Sequence, residues 1–406
     1  MCIRDRCRHR QGLAVKKTDY LDSPTFCILP WIHACVRTDE SLKPCCRYQY
    51  EEDDSSSVDM NDIKKLGADA LNETYLKKLR QDMLDGVRRV ECTKCYQQEV
   101  ATKGISDRTS LRLFLNERFA AEMVDTYTNK FDKVRYIEMS VDNVCNLECK
   151  MCDSKFSSKL QLRDKHLGKT AHKKLEPSFE KFNDTDLSNL VYVKILGGEP
   201  FITPNFSKFI DWLETKVNLE NVAIEIATNA TKLPNQKLVR KLNKFNAMYI
   251  NVSLDVMDKA NDYQRFGSNY KEVFTNAQKY EKLFANAHVA FHSTISTLTA
   301  NKLATSLDQL IQLHKYHVSV DFVRDPEHLS LLYAPKTLVD WVLEKNKDNS
   351  TAFKLLNTFV KGNKYDEQKW NEFVETSKKL DIFYKTNLEE YNPELASHLR
   401  ENNYGF

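Results

Sequence analysis

Three cysteines constrain this chain more than any other feature. They stand in Asp142-Asn143-Val144-Cys145-Asn146-Leu147-Glu148-Cys149-Lys150-Met151-Cys152, a C-x3-C-x2-C spacing directly after an apolar, strand-like stretch at 134–141. Three thiolates on one short loop can hold three irons of a cubane [4Fe–4S] cluster, and the fourth iron then has no protein ligand. A site of that kind is open to a small molecule, so the spacing implies redox chemistry, an oxygen-sensitive centre and a bound co-substrate.

The rhythm around the loop sets the fold class. Apolar, β-branched runs recur at 134–141, 190–196, 222–227, 247–254, 288–295 and 318–323, with helical patterns between them such as Phe206–Val217 and Gln236–Phe245. Strand and helix in alternation read as a parallel sheet with helices on its outer face. Six units are too few to close a (β/α)8 barrel, so the expectation is an α/β fold with a partial (β/α)6, TIM-like barrel over 134–330. In barrels the reactive groups come from the C-terminal ends of the strands. Cys145, Cys149 and Cys152 fall after the first strand and Gly197-Gly198-Glu199-Pro200 after the second. Thr228 and Asn229 follow the third strand, Ser253 and Asp255 close the fourth, and Ser293 and Thr294 close the fifth. Glycines suit a close approach of backbone to a ligand and tolerate positive φ, and the Glu199 carboxylate could receive an ammonium group. Ala230 stands where glycine would give easy access to positive φ, which predicts a different local turn.

C-x3-C-x2-C followed by a Gly-Gly-Glu-Pro segment resembles the radical S-adenosylmethionine (SAM) superfamily. The motif departs in one place, with Met151 where an aromatic residue usually precedes the third cysteine. The resemblance implies the partial barrel, a SAM-chelating [4Fe–4S] cluster on Cys145, Cys149 and Cys152, and cleavage of SAM to a 5′-deoxyadenosyl radical that abstracts hydrogen from a substrate. It implies that Gly197, Gly198, Glu199 and Pro200 contact the SAM amino group. It further implies that Ser253 and Arg265, twelve residues apart, hold its carboxylate and ribose, with Asn229 and Asp255 beside them. A guanidinium fork suits a carboxylate; the bland alternative for Arg265 is a surface arginine on the following helix. An electron donor such as flavodoxin or ferredoxin is the implied partner.

All 11 cysteines lie within residues 2–152 and the last 254 residues contain none. That confinement fits reduced thiols at metal sites in a cytoplasm better than a disulfide scaffold. Cys27, Cys45 or Cys46, Cys92 and Cys95 form a second set at 18–100, where Cys27-x12-Glu40-x4-Cys45 with a distant C-x2-C resembles the SPASM and twitch auxiliary modules of the same superfamily. The usual glycine is Glu40 here, and the module precedes the barrel instead of following it. Four thiolates imply a second, fully ligated [4Fe–4S] cluster; structural zinc is the alternative that spacing alone leaves open. Cys35 reads as a buried thiol.

The remaining segments carry less. Residues 1–17 read as a disordered tail whose opening MCIRDR looks like translated adapter sequence. Residues 101–133 read as a connecting helix, and 331–406 as a helical extension packed through Trp341 and Trp370. A basic stretch from Lys155 to Lys174, at the rim where substrate would enter, reads as a solvated helix and loop, with a basic track for an acidic substrate as the alternative. A net charge of +3 argues against wholesale nucleic-acid or membrane binding, and there is no long apolar run. The function expected is a radical SAM enzyme acting on an unknown peptide, protein or small molecule. The alternatives are a non-catalytic iron–sulfur redox or binding protein and a zinc-ribbon interaction protein.

Overall fold

The computed structural model describes residues 23–37, 41–48, 58–59, 71–72, 74–102, 133–173, 179–312 and 316–405. The tail at 1–17 and most of the expected connecting helix lie outside them. Each apolar run of the sequence becomes a strand: β4 (Tyr136–Ser140), β6 (Tyr192–Leu196), β7 (Ala223–Thr228), β8 (Ala247–Ser253), β10 (Ala287–Ile295) and β11 (His317–Phe322). They lie side by side in that order, every neighbouring pair parallel. Ile137, Val193, Ile224, Ile226, Ile250 and Val252 are buried on the outer face, against helices α5 (Pro204–Glu214), α6 (Gln236–Leu242) and α8 (Tyr270–Leu283). Helix starts follow capping chemistry, with Thr203 accepting from Asn205 N ahead of Pro204 and Asn269 accepting from Lys271 N and Glu272 N. The inner face alternates with the outer and is polar: Glu138, Lys194, Glu225, Asn251 and His292 share it across the register.

The cysteine-rich segment does not stand apart from this sheet. Strand β1 (His33–Val36) pairs parallel with β4, His33 opposite Tyr136 and Cys35 opposite Glu138. Strands β2 (Ser41–Lys43) and β3 (Val58–Asp59) extend the sheet antiparallel beyond it. One continuous core therefore holds Phe26, Trp31, Leu76 and Leu79 together with Ile137, Val193 and Phe209. Helix α2 (Thr74–Leu84) is fastened by Arg80, fully buried, which donates to the carbonyls of Pro30 (3.0 Å) and Leu71 (3.1 Å). A second core joins Val256, Tyr263 and Ile295 to the C-terminal helices, of which α10 is Lys336–Lys345, α11 Ser350–Val360 and α12 Glu367–Tyr384. Trp370 is buried in it, and Trp341 packs on it and stacks on His398.

Arg80→Ala would strand the Pro30 and Leu71 carbonyls in the interior, so it should lower unfolding stability by about 3 kcal/mol. The shift of the denaturation midpoint under anaerobic conditions measures it.

Candidate functional site

The cluster loop is built by its own side chains before any ligand enters. Asp142, buried, accepts from Val144 N (3.0 Å) and, through its other oxygen, from Asn205 Nδ2 (2.9 Å) and Thr203 Oγ1, so the turn after β4 is tied to the start of α5. Asn143 donates to the carbonyls of Ser154 and Lys173, both at 3.1 Å. Strand β5 (Glu148–Cys149) pairs antiparallel with β9 (Arg265–Phe266), which sets Cys149 opposite Arg265. Arg163, on the short helix α4 (Gln161–His166), is buried, is paired with Asp164 at 2.7 Å, and donates to the carbonyls of Cys149 (2.8 Å) and Cys152. It fixes the backbone between the second and third cysteines.

Burial pushes the Cys145 thiol up to about 12. The Cys149 thiol bonds to Cys152, which holds Cys149 high and Cys152 low, with Arg265 and Arg163 adding to the effect on Cys152. A metal group bound there would displace protons from thiols already gathered on one loop.

The two glycines are required by a neighbouring backbone. A Cβ on Gly198 would stand 2.1 Å from Val144 O, and one on Gly197 2.5 Å from Asp142 O. Glu199 N donates to Val144 O at 2.7 Å, so the second strand's loop lies directly on the cluster loop. The Glu199 carboxylate is buried and engaged: it accepts from Asn229 N (2.6 Å), Thr228 Oγ1 (2.7 Å) and Phe201 N (3.1 Å). Burial raises it to about 7 against those three donors. The sequence expectation of an open carboxylate for an ammonium group is therefore met only by whatever lone pairs these bonds leave. Asn229 turns back to the first loop, donating to Asn146 Oδ1 (3.0 Å) and lying 3.8 Å from Cys145 Sγ. Ala230 takes positive φ (53°) in spite of its Cβ, correcting the expectation of a different turn. Its carbonyl is held by Asn276 Nδ2 at 2.8 Å.

Arg265 is not a surface residue. Its Nε and Nη2 both meet the buried Asp255 carboxylate at 2.8 Å. Burial alone would lower its pKa; Asp255 more than reverses that, and Cys149 and Cys152 act on it as well. Asp255 in turn accepts from Thr294 N (2.9 Å) and Gln264 Nε2. Ser253 ends β8 half-buried. Lys150, between two of the cysteines, reaches Asp381 of α12 at 3.4 Å and lies 3.5 Å over the Tyr263 ring. Burial brings its pKa to about 8, opposed by Asp381. Asp142, Asn143, Arg163 and Asp381 escaped the sequence reading; the Asp-Asn pair ahead of the first cysteine was the one local signal.

The second cysteine set lines a cavity of about 800 Å³. Cys27, Cys45, Cys46, Cys92 and Cys95 form one side, and Glu138, Lys194, Glu225, Asn251, His292 and Asp321 from the inner face of the sheet form much of the other. Burial, then Cys46, Cys27, Cys92 and Cys95, push the Cys45 thiol up. Cys35 is buried and donates to Glu138 (3.6 Å). His33 lines the same cavity. Its Nδ1 donates to Pro44 O at 3.0 Å, burial lowers its pKa to about 3, and its buried Nε2 has no hydrogen-bond partner. An imidazole oriented by a carbonyl in this way presents a lone pair. Among the described residues no three His, Cys, Asp or Glu side chains close around a single-ion position. The cavity's inner wall lies one residue layer below the strand ends, Leu196 just before Gly197, and Asn251 two before Ser253.

No family model matches the chain. It is 24% identical over 172 residues to a GTP 3',8-cyclase of Mannheimia succiniciproducens, covering 41% of this chain and 47% of the relative. It is 27% identical over 153 residues to a GTP 3',8-cyclase of Clostridium botulinum, covering 36% and 43%. The matched stretch thus spans about half the length of these curated relatives. Among solved structures, native anSMEcpe with bound AdoMet aligns with a TM-score of 0.41 at 16% identity, over 60% of this chain and 66% of that one. The sequence relatives bear out the resemblance to radical SAM enzymes read from the cysteine motif. Among the described residues no helix is long and apolar enough to cross a membrane.

Gly198→Ala should cost about 3 kcal/mol or more, because backbone must move to admit the methyl. Ala230→Gly should stay within about 1 kcal/mol of the parent, relief of the left-handed strain offsetting the lost methyl burial. Thermal melts of the metal-free variants would show the first displaced and the second not.

Proposed function

We propose that the chain is a radical SAM enzyme with two cysteine sets, one on the loop after β4 and one lining the interior cavity. Cys145, Cys149 and Cys152 would hold a [4Fe–4S] cluster, and Cys27, Cys45, Cys92 and Cys95 an auxiliary one. The donor sets fit: three thiols on a pre-built loop, and four thiols on one side of a cavity that also carries an unpartnered buried imidazole nitrogen. When bound, the first cluster supplies the electron that cleaves SAM to the 5′-deoxyadenosyl radical. The observation that carries the reading is the pre-built loop of Cys145, Cys149 and Cys152, held at the strand ends by Asp142, Arg163 and the Glu199 amide.

The chain's own groups then bind and orient. Asp255 takes Nε and Nη2 of Arg265, so Nη1 remains for the SAM carboxylate, and the Ser253 hydroxyl lies at the adjacent strand end. Asp255 keeps the guanidinium charged and fixed where Cys149 and Cys152 sit. Asn229 holds Asn146, and with it the backbone after the first cysteine. The six parallel strands then form a partial (β/α)6 barrel whose interior excludes bulk water from a reactive radical. Its wall is charged but paired, Lys194 with Glu225 at 2.9 Å and Asn251 with Glu225 at 2.7 Å, which suits a polar substrate. A small polar molecule or a peptide side chain belongs to this class; the relatives named for GTP weigh toward the former. SPASM/twitch character for the N-terminal module and a cytoplasmic setting complete the reading.

A second reading, a non-catalytic iron–sulfur protein, is favoured by one observation: Glu199 and Arg265 are both engaged by internal partners.

Anaerobically reconstituted protein with dithionite should release 5′-deoxyadenosine from SAM, and Cys145→Ala/Cys149→Ala/Cys152→Ala should release none. Iron should fall from about eight to about four atoms per chain in that variant and, separately, in Cys27→Ala/Cys45→Ala/Cys92→Ala/Cys95→Ala. A brown, fully loaded protein that cleaves no SAM, with or without candidate substrates, would sink the enzyme reading in favour of the second.

A further inference from the structure

Lys150 and Met151, the two residues between Cys149 and Cys152, are both held by the C-terminal helices. Lys150 Nζ reaches Asp381 Oδ1 of α12 at 3.4 Å and lies 3.5 Å over the Tyr263 ring, while its backbone N donates to Gln264 O at 2.7 Å. Met151 packs on the second core, to which those helices contribute. Asp381 is itself fixed, accepting from Thr386 Oγ1 at 2.7 Å. Tyr384, at the end of the same helix, stacks on Phe266 of β9, ring centroids 4.2 Å apart, and β9 is the strand paired with Glu148 and Cys149.

The other cations at this loop meet their acids at close range. Arg163 pairs with Asp164 at 2.7 Å and Arg265 with Asp255 at 2.8 Å, each with the carboxylate fully buried, and Lys159 pairs with Glu148 at 3.3 Å. Lys150 and Asp381 are matched less evenly. The lysine side chain is 1% exposed and that of Asp381 20%, so water screens the carboxylate and not the ammonium. Attraction to the Tyr263 face holds the ammonium in place without cancelling its charge. The loop therefore keeps a buried positive charge on the residue that follows Cys149.

We infer that Lys150, set in place by Asp381 and Tyr263, makes the cluster at Cys145, Cys149 and Cys152 easier to reduce, and that the C-terminal extension sets the cluster's potential through the Lys150–Asp381 pair. The inference rests on the radical SAM reading above. Reduction adds one electron, and so one unit of negative charge, to a group already held by three thiolates, and net charge is among the factors that fix the potential of an iron–sulfur centre. A nearby cation favours the more negative, reduced form, and a nearby anion opposes it. Removing the ammonium should therefore lower the potential, and removing the carboxylate should raise it. A purely structural clamp would shift both variants alike, since either change breaks the same contact.

The test is a redox titration of the anaerobically reconstituted full chain, following by low-temperature EPR the reduced-cluster signal that added SAM perturbs and that Cys145→Ala/Cys149→Ala/Cys152→Ala lacks. Lys150→Met should make reduction about tenfold less favourable, a shift of about 59 mV to lower potential for one electron, and Asp381→Asn should move the potential by a similar amount the other way. Lys150→Arg, which keeps the charge, should stay with the parent. A potential that does not fall in Lys150→Met, or does not rise in Asp381→Asn, with the iron content intact, overturns the assignment; shifts of one sign in both leave the pair a structural role only. Where Lys150→Met loads no cluster, Asp381→Asn decides alone, and a potential at or below the parent's overturns the inference. A parent protein without a SAM-sensitive signal would instead overturn the reading on which the inference rests.

Discussion

The contact between the peptide at Gly197–Gly198 and the turn at Asp142–Val144 is the constraint on which the site depends. Two strand ends meet there backbone to backbone, at a distance that no side chain could share. Once they meet, Glu199 is carried into the interior, where its carboxylate collects the Thr228 hydroxyl and the Asn229 amide and so fixes the end of the third strand. Asn229 then returns to the loop it started from, at Asn146. Three consecutive strand ends become one unit without any group from outside the chain. A buried carboxylate is a costly element to build with unless its oxygens are satisfied, and here three donors satisfy it.

Much of the architecture was legible because parallel strands covered on their outer face read as apolar runs; β4, β6, β7, β8, β10 and β11 fall within a residue or two of those runs. The inner face was not legible as a chamber. Lys194, Glu225 and Asn251 look in sequence like interruptions of a hydrophobic pattern, and only the register across the strands makes them neighbours. The cysteine spacing identified both thiol sets, but spacing could not tell Cys45 from Cys46. In the fold both line the same cavity as Cys27, Cys92 and Cys95. The glycines of the Gly-Gly-Glu-Pro segment were read as making room for a ligand; in the structure they also make room for the loop of Cys145, Cys149 and Cys152. Ala230 shows the limit of a propensity argument: tertiary bonds to its neighbours hold it at positive φ that its Cβ disfavours.

The C-terminal helices offered no functional signal in sequence, since an amphipathic helix reveals that it packs and not on what. Their packing places Asp381 on Lys150 and Tyr384 against Phe266, ring centroids 4.2 Å apart, so the extension braces the cluster loop from the side away from the sheet. What reads as an appendage is part of the wall of the site.

The junction of β1 with β4 carries a consequence for how the protein is made. Cys35 and Glu138, neighbours in that junction, are 103 residues apart in the chain. On the ribosome the first thiol-bearing hairpin emerges long before the strand that will flank it, and it has no sheet edge to lean on in the interval. Cys27 and Cys45 therefore spend that time on an unsupported segment, exposed to oxidants and to whichever metal is abundant. Cys35 thus precedes by 103 residues the strand that packs beside it in the finished sheet.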